Sequence, residues 1–334
     1  GTDKTAAFNK KKMLSVLNHG VVAADTSLRP FGGDLVTLAS ASPAGKFILI
    51  SGAENSGTTM MCRILANLDD TLAFRTNWDI TELAPAAQAR YAKITNYTSL
   101  TNTFGTVTLK LWPDPLQKYI VDGLDDRDQA DVELLLDSAA RQATSLIAEA
   151  AAASVPIRKV LHHRSMPFGF RGTPYFEDLP RLASRLPAAW GSDSRAVLSL
   201  RQAPEMWASH VTSSKATFEP YFHAIEHMLS TCCATEDAPC SRAPGCPVFV
   251  RYERVLANAT KELSCLLGPA LGLDAENDLP QLLASPELHS DVADSHDGDD
   301  AYAQEIADNQ KLWDEVYKPM FPTFVRVTAQ EGCL

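Results

Sequence analysis

The chain has 334 residues, 45% apolar and 21% charged, which is ordinary globular usage and excludes a disordered, collagenous or disulfide-dominated protein. There are 30 Lys and Arg against 41 Asp and Glu, a formal net charge of −11, and the pI is near 5.2; this disfavours non-specific nucleic-acid binding and polybasic membrane contact. No stretch approaches the roughly 18 uninterrupted apolar residues of a membrane span, since even Ala148 to Val155 carries Glu149 and meets Pro156.

Residues 1–45 read as a lead-in, with a basic opening at Lys10, Lys11 and Lys12 and a Gly/Pro/Ser-containing run to Gly45. The chain opens on Gly1-Thr2 rather than Met, which leaves room for a removed anchor or signal peptide. Residues 46–334 are expected to form a single domain with insertions. Its first element is Phe47-Ile48-Leu49-Ile50, a continuous apolar run closed by Ser51-Gly52, the pattern of a strand buried on both faces of a parallel sheet. Met60, Met61, Ile64, Leu65 and Leu68 follow at helical spacing. Further buried runs lie at Val107 to Leu111, Val160-Leu161, Ala196 to Leu200 and Val248 to Val250. Helical patterns cover Asp131 to Ala153, Glu205 to Val211, Tyr221 to Leu229 and Lys261 to Leu267. Strands alternating with helices predict an α/β fold: a central parallel sheet flanked by helices through crossover connections. The acidic stretch Asp291 to Asp300 reads as a solvated loop, because its Asp-Gly-Asp-Asp lacks the ligand spacing of a calcium loop.

Seven cysteines are odd in number, so at least one stays outside any intrachain pair. Cys232, Cys233, Cys240 and Cys246 cluster in a stretch containing Pro, Gly and Ser. Their spacing does not provide the two close ligand pairs of a zinc site, and a disulfide-stapled loop is the better reading. Two sequons, Asn96-Tyr97-Thr98 and Asn258-Ala259-Thr260, fit the same oxidising compartment and point to a glycoprotein of the secretory pathway, with the cytoplasm as the alternative.

The segment Ser51-Gly52-Ala53-Glu54-Asn55-Ser56-Gly57-Thr58-Thr59 joins a buried strand to a helix, where backbone amides can cradle phosphate or sulfate. Gly52 and Gly57 have the spacing of a Walker loop, yet Thr58 stands where a nucleotide triphosphatase carries its lysine, which weakens a kinase or NTPase reading. Ser56-Gly57-Thr58-Thr59 resembles the 5′-phosphosulfate loop of sulfotransferases that use 3′-phosphoadenosine 5′-phosphosulfate (PAPS). Two further segments follow in that family's order. Arg201 closes the Ala196 to Leu200 run with Ser209 eight residues on, similar to the family's 3′-phosphate clamp. Val248-Phe249-Val250-Arg251-Tyr252-Glu253-Arg254-Val255-Leu256 resembles its strand-Tyr-Glu segment, which implies that Tyr252 lies beside the adenine. The resemblance implies a PAPS-dependent sulfotransferase that needs no metal and leaves adenosine 3′,5′-bisphosphate. Its acceptor would be a hydroxyl or amine of a small molecule, glycan, lipid or protein. A non-catalytic nucleotide-binding protein of the same fold is the other alternative.

The sequence departs from the family at Asn55, where a Lys or Arg is common. Arg164, and after it Lys110, are the candidate substitute cations, because sulfuryl transfer develops negative charge on the leaving phosphate. Arg164 follows His162-His163 in Lys159 to Pro167, a stretch that partly resembles the family's segment bearing the general base. Strand alternation sets His162 and Arg164 on one side and His163 on the other, so either histidine is a candidate base. In lumenal branches a carboxylate takes that role, and Asp79 or Glu82 would then serve. The likeness to tyrosylprotein sulfotransferases further implies that Cys246 is disulfide-bonded to Cys232, Cys233 or Cys240, in a Golgi-type enzyme. The acidic balance argues against an acidic protein acceptor. Trp78, Tyr91, Tyr97 and Trp112 supply aromatic surface without identifying an acceptor.

Overall fold

The computed structural model describes residues 37, 42–53, 56–74, 89, 90, 93, 129–166, 179–208, 219–233, 240, 241, 245–268, 271–289, 300–331, 333 and 334. Among these residues, five strands form one all-parallel sheet: β1 (Lys46–Ala53), β2 (Thr71–Phe74), β3 (Lys159–Met166), β4 (Arg195–Leu200) and β5 (Val248–Arg251). Their spatial order is β2-β3-β1-β4-β5. The expected strand at Val107 to Leu111, residues 291–299 of the acidic stretch and the lead-in up to Asp34 lie outside the described residues, while Asp300 begins a helix rather than ending a loop.

Phe47, Ile48, Leu49 and Ile50 are fully buried because β1 is central, with β3 on one side and β4 on the other and apolar neighbours on both faces. Helix α1 (Thr58–Ala66) follows β1 and turns Met61, Ile64 and Leu65 into the core. Helix α2 (Gln129–Ala152) buries Leu136, Ala139, Ala140, Ala143, Leu146, Ile147 and Ala150, a stripe at helical spacing. It ends in a Schellman closure, with Ser154 at φ 54 and the Val155 amide donating to the Ala150 carbonyl at 2.9 Å. Short helices α3 (Leu179–Ala183) and α4 (Ala188–Gly191) lead into β4. At the amino edge of the sheet two buried lysines are neutralised: Lys46 by Asp193 at 2.5 Å and Lys159 by Asp70 at 2.8 Å.

Beyond β4 come α5 (Ala203–Ala208) and α6 (Glu219–Cys232); β5 then passes directly into α7 (Tyr252–Ala257) and α8 (Ala259–Ser264). The chain closes with α9 (Asp278–Leu283), α10 (Asp300–Leu312) and α11 (Pro322–Ala329). Phe222 of α6 packs its ring 5.4 Å from Trp313, 5.5 Å from Phe321 and 5.2 Å from Phe324, a satellite core that docks the C-terminal helix. The Glu226 carboxylate accepts the Thr323 and Phe324 amides at 2.8 and 2.7 Å, satisfying donors that the first turn of α11 cannot satisfy itself.

Three disulfides cross-link this half of the molecule. Cys232–Cys246 is one of the pairings expected for Cys246, and Cys233–Cys240 joins the other two clustered cysteines. Cys265–Cys333, with a sequence separation of 68, ties the end of α8 to the C-terminus and was not anticipated. The seventh cysteine, Cys62, is buried in α1. Three such bonds mark an oxidising, secreted or lumenal environment. Among the described residues, no helix is long and apolar enough to cross a membrane.

Candidate functional site

Strand order makes the carboxyl end of β1 a natural binding place. From β1 the chain crosses over β3 to β2, whereas from β4 it moves the other way to β5, so the sheet has a topological switch point beside β1 and β4. The loop from β1 to α1 lies there. Gly52 admits no side chain: a Cβ would stand 2.4 Å from Ser56 Oγ, 2.8 Å from Thr58 Cγ2 and 3.0 Å from the Ser199 carbonyl oxygen. The hydroxyl of Ser199, buried on β4, donates to the Ser56 carbonyl and so ties the loop to the neighbouring strand.

Gly57 is the N-cap of α1 in the left-handed region, with φ 85 and ψ 13 and no side-chain cap. Its carbonyl accepts the Met61 amide at 2.9 Å, so the amides of Thr58, Thr59 and Met60 have no acceptor within the helix. They combine with the positive end of the helix dipole to favour an anion. A Cβ on Gly57 would fall 2.1 Å from Tyr252 Cδ2, so the tyrosine ring lies directly against the loop backbone.

Tyr252 reaches that position because β5 ends at Arg251 and α7 begins at the next residue. The register Leu200↔Arg251 ends β4 and β5 on the same rung, which brings Arg201 and Tyr252 side by side. The Arg201 guanidinium carbon stands 4.4 Å from the Tyr252 ring centroid, a cation–π contact, and Arg201 also approaches Glu205 at 3.6 Å. Gly57, Arg201 and Tyr252 therefore converge at one edge of the sheet although they are widely separated in sequence.

Two further residues hold that edge together, and sequence reasoning gave neither a role. Glu253 Oε1 accepts the Gln202 amide at 2.7 Å, linking the residue after Arg201 to the residue after Tyr252. Burial raises the Glu253 pKa above the ordinary carboxylate value; the Gln202 amide opposes this, nearby Glu205 adds to it and Arg201 counters it. Behind Tyr252, the Arg251 side chain is 2% exposed and its partner Glu262 4%. Arg251 Nε donates to Glu262 Oε1 at 3.0 Å and Nη2 to Oε2 at 2.5 Å, while Nη1 donates to the Gln330 carbonyl. Only the adjacency of Glu253 to Tyr252 was visible beforehand; Glu262 carried no signal that it would face an arginine.

The two histidines are placed differently from expectation. The strand does not end at His162-His163-Arg164 but continues to Met166. His162 pairs with Leu49 of β1 and Phe74 of β2, and His163 with Ile50. Both are buried, and the His162 ring stacks on Phe74 at 4.5 Å with 14° between planes. Four residues separate His162 from the end of β3, about 13 Å along an extended strand. This mid-sheet position does not favour either histidine as a base in the crevice. Arg164 lies in register with Ser51, nearer the carboxyl edge. Asn55, Ser209, Lys110, Asp79 and Glu82 lie outside the described residues, as do the aromatic residues Trp78, Tyr91, Tyr97 and Trp112. No protein-family model matches the chain, and comparison with curated proteins finds no match.

Proposed function

We propose that the chain is a PAPS-dependent sulfotransferase with a sulfotransferase fold. The observation that carries this reading is the convergence of Gly57, Arg201 and Tyr252 around a helix N-terminus. Loop amides of Thr58 and Thr59 receive the 5′-phosphosulfate, Tyr252 offers a ring face to the adenine, and Arg201, with Ser209 by resemblance, takes the 3′-phosphate. A fixed guanidinium suits a dianion because its hydrogen bonds are charge-assisted.

In the reaction an acceptor oxygen or nitrogen attacks sulfur in line with the departing 5′-phosphate. One bond to sulfur forms, the S–O bond to the phosphate breaks, and adenosine 3′,5′-bisphosphate leaves. Backbone amides at the helix N-terminus stabilise the charge that develops on the leaving oxygen. Arg164 or Lys110 supplies the cation that Asn55 lacks. The acceptor proton goes to a base, and the buried mid-strand histidines favour the carboxylate alternative, Asp79 or Glu82. The disulfides agree with a lumenal, Golgi-type setting for such an enzyme.

Calorimetry with adenosine 3′,5′-bisphosphate against ATP with magnesium tests the donor site. The bisphosphate is expected to bind tighter, and Arg201→Ala to weaken it by about 1.5–3 kcal/mol, the worth of a hydrogen bond to a charged group. Unchanged binding in Arg201→Ala, or preference for ATP with magnesium, sinks the assignment. Turnover of labelled PAPS over an acceptor panel tests catalysis, since a binding protein of the same fold would bind the nucleotide without consuming PAPS. At matched folded fraction, His162→Ala and His163→Ala are expected to retain turnover, whereas loss of a general base costs about 10²–10⁴ in rate.

A further inference from the structure

The sequon Asn258-Ala259-Thr260 falls between α7 and α8, and the structure fixes how its asparagine is held. Asn258 is both the C-cap of α7 and the N-cap of α8, and its Oδ1 accepts the Lys261 amide at 3.0 Å. Capping engages the oxygen of the side-chain amide and leaves Nδ2, the atom that carries an N-linked sugar, outside the cap. Asn258, Thr260 and Lys261 are exposed, as are Leu256 and Ala257 before them. Leu256, two residues upstream, is 52% exposed, more than any other large apolar side chain among the described residues. A sugar on Asn258 that reached this leucine would remove its apolar surface from water. The three disulfides supply an independent observation, because they mark an oxidising environment, as the lumen in which N-glycans are added is.

We infer that Asn258 is an N-glycan acceptor whose first sugar covers Leu256 and whose oligosaccharide lies clear of the sheet's carboxyl edge. The donor is a polyprenyl-diphosphate-linked oligosaccharide. Asn258 Nδ2 bonds to C1 of its first sugar, the C1–O bond to diphosphate breaks, polyprenyl diphosphate leaves, and one Nδ2 proton passes to a base of the transferring enzyme. Thr260 supplies the hydroxyl that defines the acceptor triplet. Asn258 follows the last residue of α7 while Tyr252 is the first, so the sugar and the tyrosine are separated by the length of that helix, about 9 Å. The inference does not depend on which ligand the crevice takes.

The test is site-resolved peptide mass spectrometry on the full chain made in a eukaryotic secretory host. The peptide containing Asn258 is expected to carry an oligosaccharide that peptide N-glycanase removes, converting the residue to Asp. Asn258→Asp keeps an oxygen to cap α8, and Thr260→Ala leaves the cap intact; each should abolish the modification at this site while the protein still folds. Oxidative footprinting should label Leu256 less in the glycosylated protein than after enzymatic removal of the sugar. An unmodified Asn258 in the secreted wild-type chain overturns the inference. Equal labelling of Leu256 in both forms overturns the proposed cover.

Discussion

Strands β2 and β5 are both four residues long and lie at opposite ends of the sheet, yet they are secured by different means. β2 is buried at all four positions, pairs with β3 and stacks Phe74 on His162; the Arg90 guanidinium donates to the Thr71 carbonyl at 3.2 Å, and Asp70 just before the strand pairs with Lys159. β5 is bracketed by covalent bonds, with Cys246 just before it and Cys265 just after α8. A buried ion pair at its last residue adds a further constraint. The comparison teaches that the edge carrying Tyr252 is held covalently, where the β2 edge is held by packing and charge-assisted hydrogen bonds. A four-residue strand pairing on one side has few ladder bonds, and cross-links with charge-assisted bonds fix its end where a ligand contact demands accuracy.

The largest effect should come from removing half of the Arg251–Glu262 pair. Glu262→Ala leaves a buried guanidinium without its carboxylate, expected to cost roughly 3–5 kcal/mol in denaturant unfolding. A loss within the range of ordinary surface substitutions would show that β5 is not clamped by charge. Next, Cys265→Ser with Cys333→Ser opens a closure with a sequence separation of 68, worth about 4 kcal/mol in the chain-entropy account. Native-state hydrogen exchange should then rise in β5 and α11 and stay unchanged in β1 and β3. Uniform acceleration would erase the distinction between the two sides.

A smaller effect is expected at Gly57. Gly57→Ala places a Cβ against the Tyr252 ring in a left-handed backbone, costing about 1–2 kcal/mol from conformation alone, with any ring displacement added. Loss of stability together with weaker bisphosphate binding is the expected pair of readings, and unaltered binding would separate Tyr252 from the ligand. The smallest effect concerns pH. Because burial first, then the other neighbours, leave the Glu253 pKa raised, the folded protein takes up a proton more readily than the unfolded chain does. The stability linked to this group is complete below the ordinary carboxylate pKa and is lost as pH rises through the raised value. Glu253→Gln should flatten the profile of urea midpoints above the ordinary carboxylate pKa; superimposable profiles would count against a half-buried carboxylate bridging β4 and β5.

Which parts were legible follows from the kind of signal each carries. The run Phe47 to Ile50 announced a central strand because burial on both faces leaves an uninterrupted apolar stretch. Thr71-Leu72-Ala73-Phe74 did not, being short, unalternating and preceded by Asp69-Asp70. In the sequence, His162-His163-Arg164 reads as the polar end of a short buried strand because the apolar run Val160-Leu161 stops before it. Only the register with β1 and β2 shows them to be mid-sheet, one stacked on a phenylalanine from a distant segment. At the crevice, the glycines and Arg201 stood in local patterns, whereas Ser199 and Glu253 act through partners far along the chain and Glu262 through Arg251, 11 residues back across the end of β5. The Cys265–Cys333 bond was hidden for a related reason, since cysteine spacing alone does not determine connectivity.

The position of β1 also has a cost during synthesis. Both of its partners lie far downstream, beginning at Lys159 and Arg195, so Phe47 to Ile50 leaves the ribosome with neither edge paired. At translation speeds of about 5–20 residues per second, that apolar strand waits on the order of ten seconds before β4 arrives. A strand fully buried in the finished protein is therefore a long-exposed one while the chain is being made.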